Sequence, residues 1–294
     1  MRMTTAMFKR SAAIVGLMSL LWILSTLMIP SSSHAAIFFD DSFETCVVGG
    51  GASFPCEGWD DFGQEAAGTS DVATDQVFSG MKSYKQTLTK KDLPIGNLAK
   101  PSIYKTYPNP KGTRIFARWA IKWSNNFEYC TINGVTKIVR FVLTGGFPKV
   151  WIINYFGTYT VLVEAPYFAG AERIETGVSV TSGSWDQIEF EWKLNTPGQA
   201  NGEIRFWVNG VLRAERTGRE YIGPTPTSFH PIHGPTVPTP STAIHNNTQI
   251  YVQCGIGNIW YDRFAVGNTR IGLTTGQPSG DTTPPASPQG LQAR

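Results

Sequence analysis

The chain has 294 residues, about two average domains' worth, with 25 Lys and Arg, 22 Asp and Glu, 30 glycines and 19 prolines. Three of the basic residues, Arg2, Lys9 and Arg10, precede an apolar run near the start, which leaves 22 basic against 22 acidic residues in the rest. That balance argues against nucleic-acid binding, which depends on neutralising phosphates, and against a polybasic membrane-surface protein.

Residues 1–35 have the layout of a secretory signal: the basic residues just named, the apolar run Ala12–Ile29, polar Ser31-Ser32-Ser33, and a small-x-small site at Ser33-His34-Ala35. The same run is long enough to serve as an uncleaved anchor instead. With cleavage, the expectation is a secreted or periplasmic protein, monomeric and free of the membrane. The four cysteines, Cys46, Cys56, Cys130 and Cys254, all follow the signal, and an even number in an oxidising compartment favours two disulfides. Four cysteines allow three pairings. The preferred one closes the short Gly-rich loop with Cys46–Cys56, leaving Cys130–Cys254.

From residue 36 to about 275 the chain reads as strands. Thr113–Trp123 alternates strictly, with Ile115, Ala117, Trp119, Ile121 and Trp123 on one face and Arg114, Phe116, Arg118, Ala120 and Lys122 on the other. Period-two alternation marks a strand with one face in a core. Further runs cover Thr136–Thr144, Val150–Phe156, Tyr159–Val163, Trp185–Leu194 and Gly202–Val208, and Gln249–Val266 reads as two strands. Asn209-Gly210, between Trp207-Val208 and Val211-Leu212, is a strong hairpin signal. No segment after the signal keeps a helical period, so the expectation is an all-β, two-sheet antiparallel β-sandwich. Gly223–Thr248 stands apart, with six prolines between Pro224 and Pro240 and all three histidines of the mature chain, His230, His233 and His245. Long loops of this kind are functional or disordered. Residues 276–294 are a Pro/Thr/Ser-rich tail.

The stretch from Gly183 to Glu191, then Lys193–Gly198, then Trp207-Val208-Asn209-Gly210, resembles the concanavalin A-like and laminin-G-like jelly-roll domains. Within that superfamily the Leu194–Gly198 turn is similar to that of secreted bacterial polysaccharide-lyase-like (heparin-lyase-like) proteins. Phe38–Glu44 and Trp260–Val266 resemble the first and last strands, which are neighbours in that fold. The resemblance implies a saccharide groove on the outer face of a sheet. On that basis Arg114, Arg118, Lys122, Arg140, Gln187, Glu189, Glu191, Arg205 and Trp207 are candidate carbohydrate-binding residues, with Glu203 beside them. Arginine forks suit uronate or sulfate. The resemblance also implies a structural calcium between the first and last strands, with Asp41 and Asp262 as ligands; no other cofactor is implied.

A glycosidase dyad on Gln187–Glu191 is disfavoured, because an amide stands where the related endoglucanases have their nucleophile. A lyase needs a cation on the uronate, a base for the C5 proton and an acid for the leaving oxygen. Arginines supply the first; His230, His233 and His245 are candidate bases, and Tyr221 and Tyr251 candidate acids. The expected partner is an extracellular, acidic polysaccharide that the chain recognises and, as a lyase, cleaves. The alternatives are a non-catalytic carbohydrate-binding module and a structural or adhesive envelope protein.

Overall fold

Alternation of apolar and polar side chains is the rule from which this fold is built. The computed structural model describes residues 37–48, 56, 58–59, 61–63, 68–90, 102–105, 114–131, 134–142, 148–165, 171–222, 247–251 and 254–274. The expected signal, the histidine-bearing loop and the tail lie outside them. The strands, in chain order, are β1 (Ile37–Asp41), β2 (Asp61–Gly63), β3 (Gly68–Ala73), β4 (Ser83–Lys90), β5 (Ser102–Lys105), β6 (Arg114–Trp123), β7 (Glu128–Tyr129) and β8 (Val135–Val142). They continue with β9 (Lys149–Tyr155), β10 (Thr158–Glu164), β11 (Ala171–Ser179), β12 (Trp185–Lys193), β13 (Gly202–Val208), β14 (Val211–Arg219), β15 (Asn247–Tyr251) and β16 (Gly255–Gly267).

Among the described residues these form two antiparallel sheets. The first runs β14-β13-β12-β6-β16-β4-β3, with β1 and β7 also paired to β16; the second runs β11-β10-β9-β8-β15-β5-β2. The expected sandwich is therefore the observed one. Strand β1 pairs β16 through Asp40 opposite Ala265 and Asp41 opposite Phe264, so the first and last strands are neighbours as expected. The hairpin at Asn209-Gly210 carries both residues at positive φ, 52° and 78°, the geometry a two-residue type I′ turn requires.

The two sheets bury one shared core. Trp119 and Trp123 of β6, Ile188, Phe190 and Trp192 of β12, and Ile204 and Phe206 of β13 meet Val139 and Phe141 of β8, Ile152 of β9 and Val161 of β10. Each such side chain contributes about 1.5–3 kcal/mol on burial. Phe141 stacks on Phe190 across the interface at 4.9 Å. A polar clasp joins the sheets too: the Trp123 indole donates to the Tyr159 hydroxyl, which donates to Asp186 at 3.0 Å, and Asn209 of the hairpin donates to the same carboxylate. Disulfides Cys46–Cys56 and Cys130–Cys254 are both formed.

Candidate functional site

Alternation leaves each sheet an outer face, and the two differ. On the first sheet, the register places Arg118 beside Glu189, and Glu189 beside Trp207. Most charges here satisfy one another. Arg114 lies 3.2 Å from Glu191; Arg205 reaches Glu191 at 3.1 Å, Glu203 at 2.8 Å and Glu215 at 2.6 Å; Lys193 meets Glu203 at 2.6 Å. Hydrogen bonding from Lys193 holds the Glu203 carboxyl below its ordinary pKa.

The chain after β16 then crosses this face. Arg270 grips both oxygens of Glu189, at 2.9 and 2.7 Å, and its guanidinium lies 4.5 Å from the centre of the Trp207 ring. The Thr274 amide donates to the side-chain oxygen of Gln187. The candidate saccharide residues Gln187, Glu189 and Trp207 are therefore bonded to the protein's own segment, and Glu189 and Trp207 are buried beneath it. Lys122 donates to Gln76.

Arg140 does not belong to this group. It sits on β8, in the second sheet, so it and Arg118 occupy the outer faces of opposite sheets. On its own face the register is continuous across all seven strands: Asp61, Tyr104, Gln249, Arg140, Trp151, Leu162 and Arg173 form one row. Leu162 and Trp151 pack with Ile153 into a small apolar cluster separate from the core. Two cations rest against the Trp151 ring, Lys137 at 4.1 Å and Arg140 at 5.2 Å from its centre, and Arg173 lies 4.3 Å from the Tyr155 ring. Lys149, two residues before Trp151 and so on the same face, has its ammonium pKa lowered by burial and by Arg140, against the opposing pull of Glu164.

Tyr221 is corrected: it is fully buried, edge-on to Trp192 at 6.4 Å, and desolvation drives its hydroxyl pKa upward. A core tyrosine of this kind cannot meet a polymer. Tyr251 occupies a register position opposite Ser102 in the second sheet. His230, His233 and His245 lie outside the described residues.

The implied calcium ligands are occupied otherwise. Asp41 accepts from the Phe43 amide and the Trp59 indole, and burial raises its pKa. Asp262 accepts from the amides of Phe78, Ser79 and Arg263, and burial raises it to about 7. Among the described residues no group of three or more His, Cys, Asp or Glu gathers closely enough to hold a metal ion. Asp41 and Asp262 each accept hydrogen bonds from the protein's own donors, and two carboxylates alone supply fewer oxygens than the roughly six to eight that calcium takes.

Sequence reasoning missed Lys137, Lys149, Trp151, Tyr155 and Arg173, together with the row positions of Tyr104 and Gln249. The alternation of Lys149, Trp151, Ile153 and Tyr155 was the available signal, because it sets a second polar-aromatic face beside the one chosen.

No family model and no curated protein matches the chain. Among solved structures it is similar to an endo-β-1,4-glucuronan lyase from the fungus Trichoderma reesei. The identity is 16% and the TM-score 0.51, over 72% of this chain and 92% of that one. It is also similar to the alginate lyase vAL-1 from Chlorella virus, 13% identical with a TM-score of 0.50, over 68% of this chain and 89% of that one. At such identities the likeness establishes a shared β-sandwich fold, and activity has to be argued from the site.

Proposed function

We propose that this protein is an exported polysaccharide lyase acting on a uronate-containing chain, and that the outer face of its second sheet is the working surface. The observation that carries the proposal is the cross-strand row through Arg140 and Trp151, with Lys149 beside it. A linear saccharide laid across the strands would meet a cation, an aromatic and hydrogen-bonding positions in succession. The two disulfides fit an oxidising compartment, and the two lyases that share the fold act on glucuronan and alginate by their names.

The chemistry follows from charge. A forked guanidinium on the uronate carboxylate neutralises it and makes the adjacent C5 proton easier to remove. Arg140 takes this role, braced by cation–π contact with Trp151. Lys149 takes the C5 proton, since its lowered pKa makes the neutral amine more available near neutral pH. The C5–H electron pair becomes the C4–C5 double bond, the C4–oxygen bond breaks, and the leaving oxygen takes a proton from a tyrosine. Tyr104 and Tyr251 occupy register positions suited to that last role.

Incubation of the purified protein with glucuronan, alginate and glycosaminoglycans tests this. The expected result is new unsaturated ends that absorb ultraviolet light. Binding without such ends would make the chain a carbohydrate-binding module, and neither binding nor cleavage across the panel would remove both readings.

A further inference from the structure

On the first sheet's outer face, the described neighbours of Arg118 satisfy its guanidinium only in part. Arg118 is only 9% exposed, and among the described residues its Nε has no hydrogen-bond partner. The nearest carboxylate, Asp40, is 3.9 Å away and 47% exposed, while both oxygens of the adjacent Glu189 are taken by Arg270. A buried guanidinium N–H left unpaired is expensive, and an orphaned donor of this kind calls for an ion or water that completes it.

A second arginine stands on the neighbouring strand, two residues before the partner of Arg118. Strand β16 bulges against β6 between Asp262 and Ala265, and Ala265 is the residue opposite Arg118. The bulge carries Arg263 at φ 51°, a left-handed conformation uncommon for a residue other than Gly or Asn. Bulges re-aim side chains, and strain of this type gathers at functional positions. The Arg263 guanidinium donates to the Ser79 hydroxyl at 2.6 Å, yet its Nε is also buried without a partner. The two arginines repel each other enough to contribute to lowering the Arg118 pKa. Beside Arg118 on this face stand Phe116 and Ala120 along its own strand, Glu189 on β12 and Ala265 on β16, so the β16 side and one end carry only methyl groups.

We infer that Arg118 and Arg263 form an oxyanion site on the first sheet, which takes a sulfate or carboxylate group of an acidic polysaccharide. Two forked guanidiniums, one fixed by burial and one by a bulge and a hydroxyl, are a donor set for a single tetrahedral or planar oxyanion. The site lies on the sheet opposite the proposed catalytic face. It would hold an acidic chain on the back of the sandwich and does not depend on the lyase reading.

Thermal unfolding of the full chain in sodium sulfate, against sodium chloride at matched ionic strength, is the test. Sulfate stabilises proteins in general, so the comparison is between wild type and two variants, Arg118→Gln and Arg263→Asn; Asn tolerates the left-handed backbone. The expected result is a saturable rise in Tm for wild type and a sulfate affinity weaker by ~10- to 100-fold in each variant, as the loss of one charged hydrogen-bonding group implies. An equal response in wild type and Arg263→Asn, or no saturable response in wild type, overturns the site. Should Arg118→Gln fail to fold, Arg263→Asn alone decides. Heparin and glucuronan then separate the sources. Variant-sensitive binding of heparin only assigns sulfate esters, binding of both assigns oxyanions of either kind, and binding of neither overturns the polysaccharide as ligand. Lyase turnover that survives in Arg263→Asn, or that is absent from every form, leaves this outcome unchanged.

Discussion

The two outer faces of this sandwich are made by the same alternation and put it to opposite use. On the first sheet, Arg114, Glu191, Lys193, Glu203, Arg205 and Glu215 pair with one another, and the segment through Arg270 covers Glu189 and Trp207. On the second, cations are set against rings, Lys137 and Arg140 on Trp151 and Arg173 on Tyr155. A carboxylate partner neutralises a guanidinium's charge; an aromatic partner positions it against the ring face and leaves it cationic. Charge density alone does not mark a binding face. What the charges already touch does.

Substitutions on both faces can break that contrast. The largest effect is expected on the second sheet: Arg140→Ala or Lys149→Ala lowers kcat/KM on a uronate polymer by ~100-fold or more, as expected for removing an electrostatic or acid–base group. Arg114→Ala on the first sheet leaves turnover within about twofold, since its partners Glu191 and Glu203 lie on the face opposite the proposed catalytic one. Equal losses from both faces, measured by ultraviolet absorbance, would erase the distinction.

The first face should instead respond through stability. Asp262 is buried there with a pKa raised from 3.8 to about 7. Between those values the unfolded chain releases its proton while the native chain keeps it, so stability falls as pH rises from about 4 to about 7 and is level above. The contribution is on the order of 4 kcal/mol, from roughly 1.4 kcal/mol for each of about three pKa units. Urea unfolding at a series of pH values measures the slope, and Asp262→Asn flattens it. A smaller loss, roughly 2 kcal/mol, is expected for Glu191→Ala, which takes the buried partner from Arg114 and Arg205 and leaves them only Glu203 and Glu215. Its lyase rate should not move, and an unchanged urea midpoint would show that the network adds nothing.

Much of this fold was legible in the sequence because burial writes itself as period two. Strands β6, β8, β9, β10, β12, β13, β15 and β16, the Asn209-Gly210 hairpin and the short Cys46–Cys56 loop follow from local pattern, Cys130–Cys254 is the pair that remains, and the pairing of β1 with β16 is what the resemblance implies. Strands β3, β4, β11 and the length of β14 were not legible. Their sequences, such as Gly68–Ala73 and Val211–Arg219, are dominated by small or charged residues, so no clean apolar alternation marks them. The proposed binding face was harder still. Alternation tells which side of a strand is outward, but not which sheet the strand joins, and so Arg140 was grouped with Arg118. Nor does it reveal that a later segment returns to occupy Glu189 and Trp207.

That returning segment offers the finest test. Arg270 is 45% exposed at the side chain, but its partner Glu189 is only 3% exposed, so removing the guanidinium leaves a buried carboxylate with Arg118 as its nearest remaining cation. Charged hydrogen bonds are worth about 1.5–3 kcal/mol when sheltered; with one partner half in solvent, Arg270→Ala should cost about 1 kcal/mol. The same change uncovers the Trp207 ring. Acrylamide quenching should therefore rise in Arg270→Ala, and the increment should vanish when Trp207→Phe is added. Arg270→Lys keeps the charge and loses the fork, so it should fall between wild type and Ala in both readouts. If quenching stays at the wild-type level while stability drops, Trp207 is covered by something other than Arg270, and the first face owes its closure to the sheet rather than to the strap.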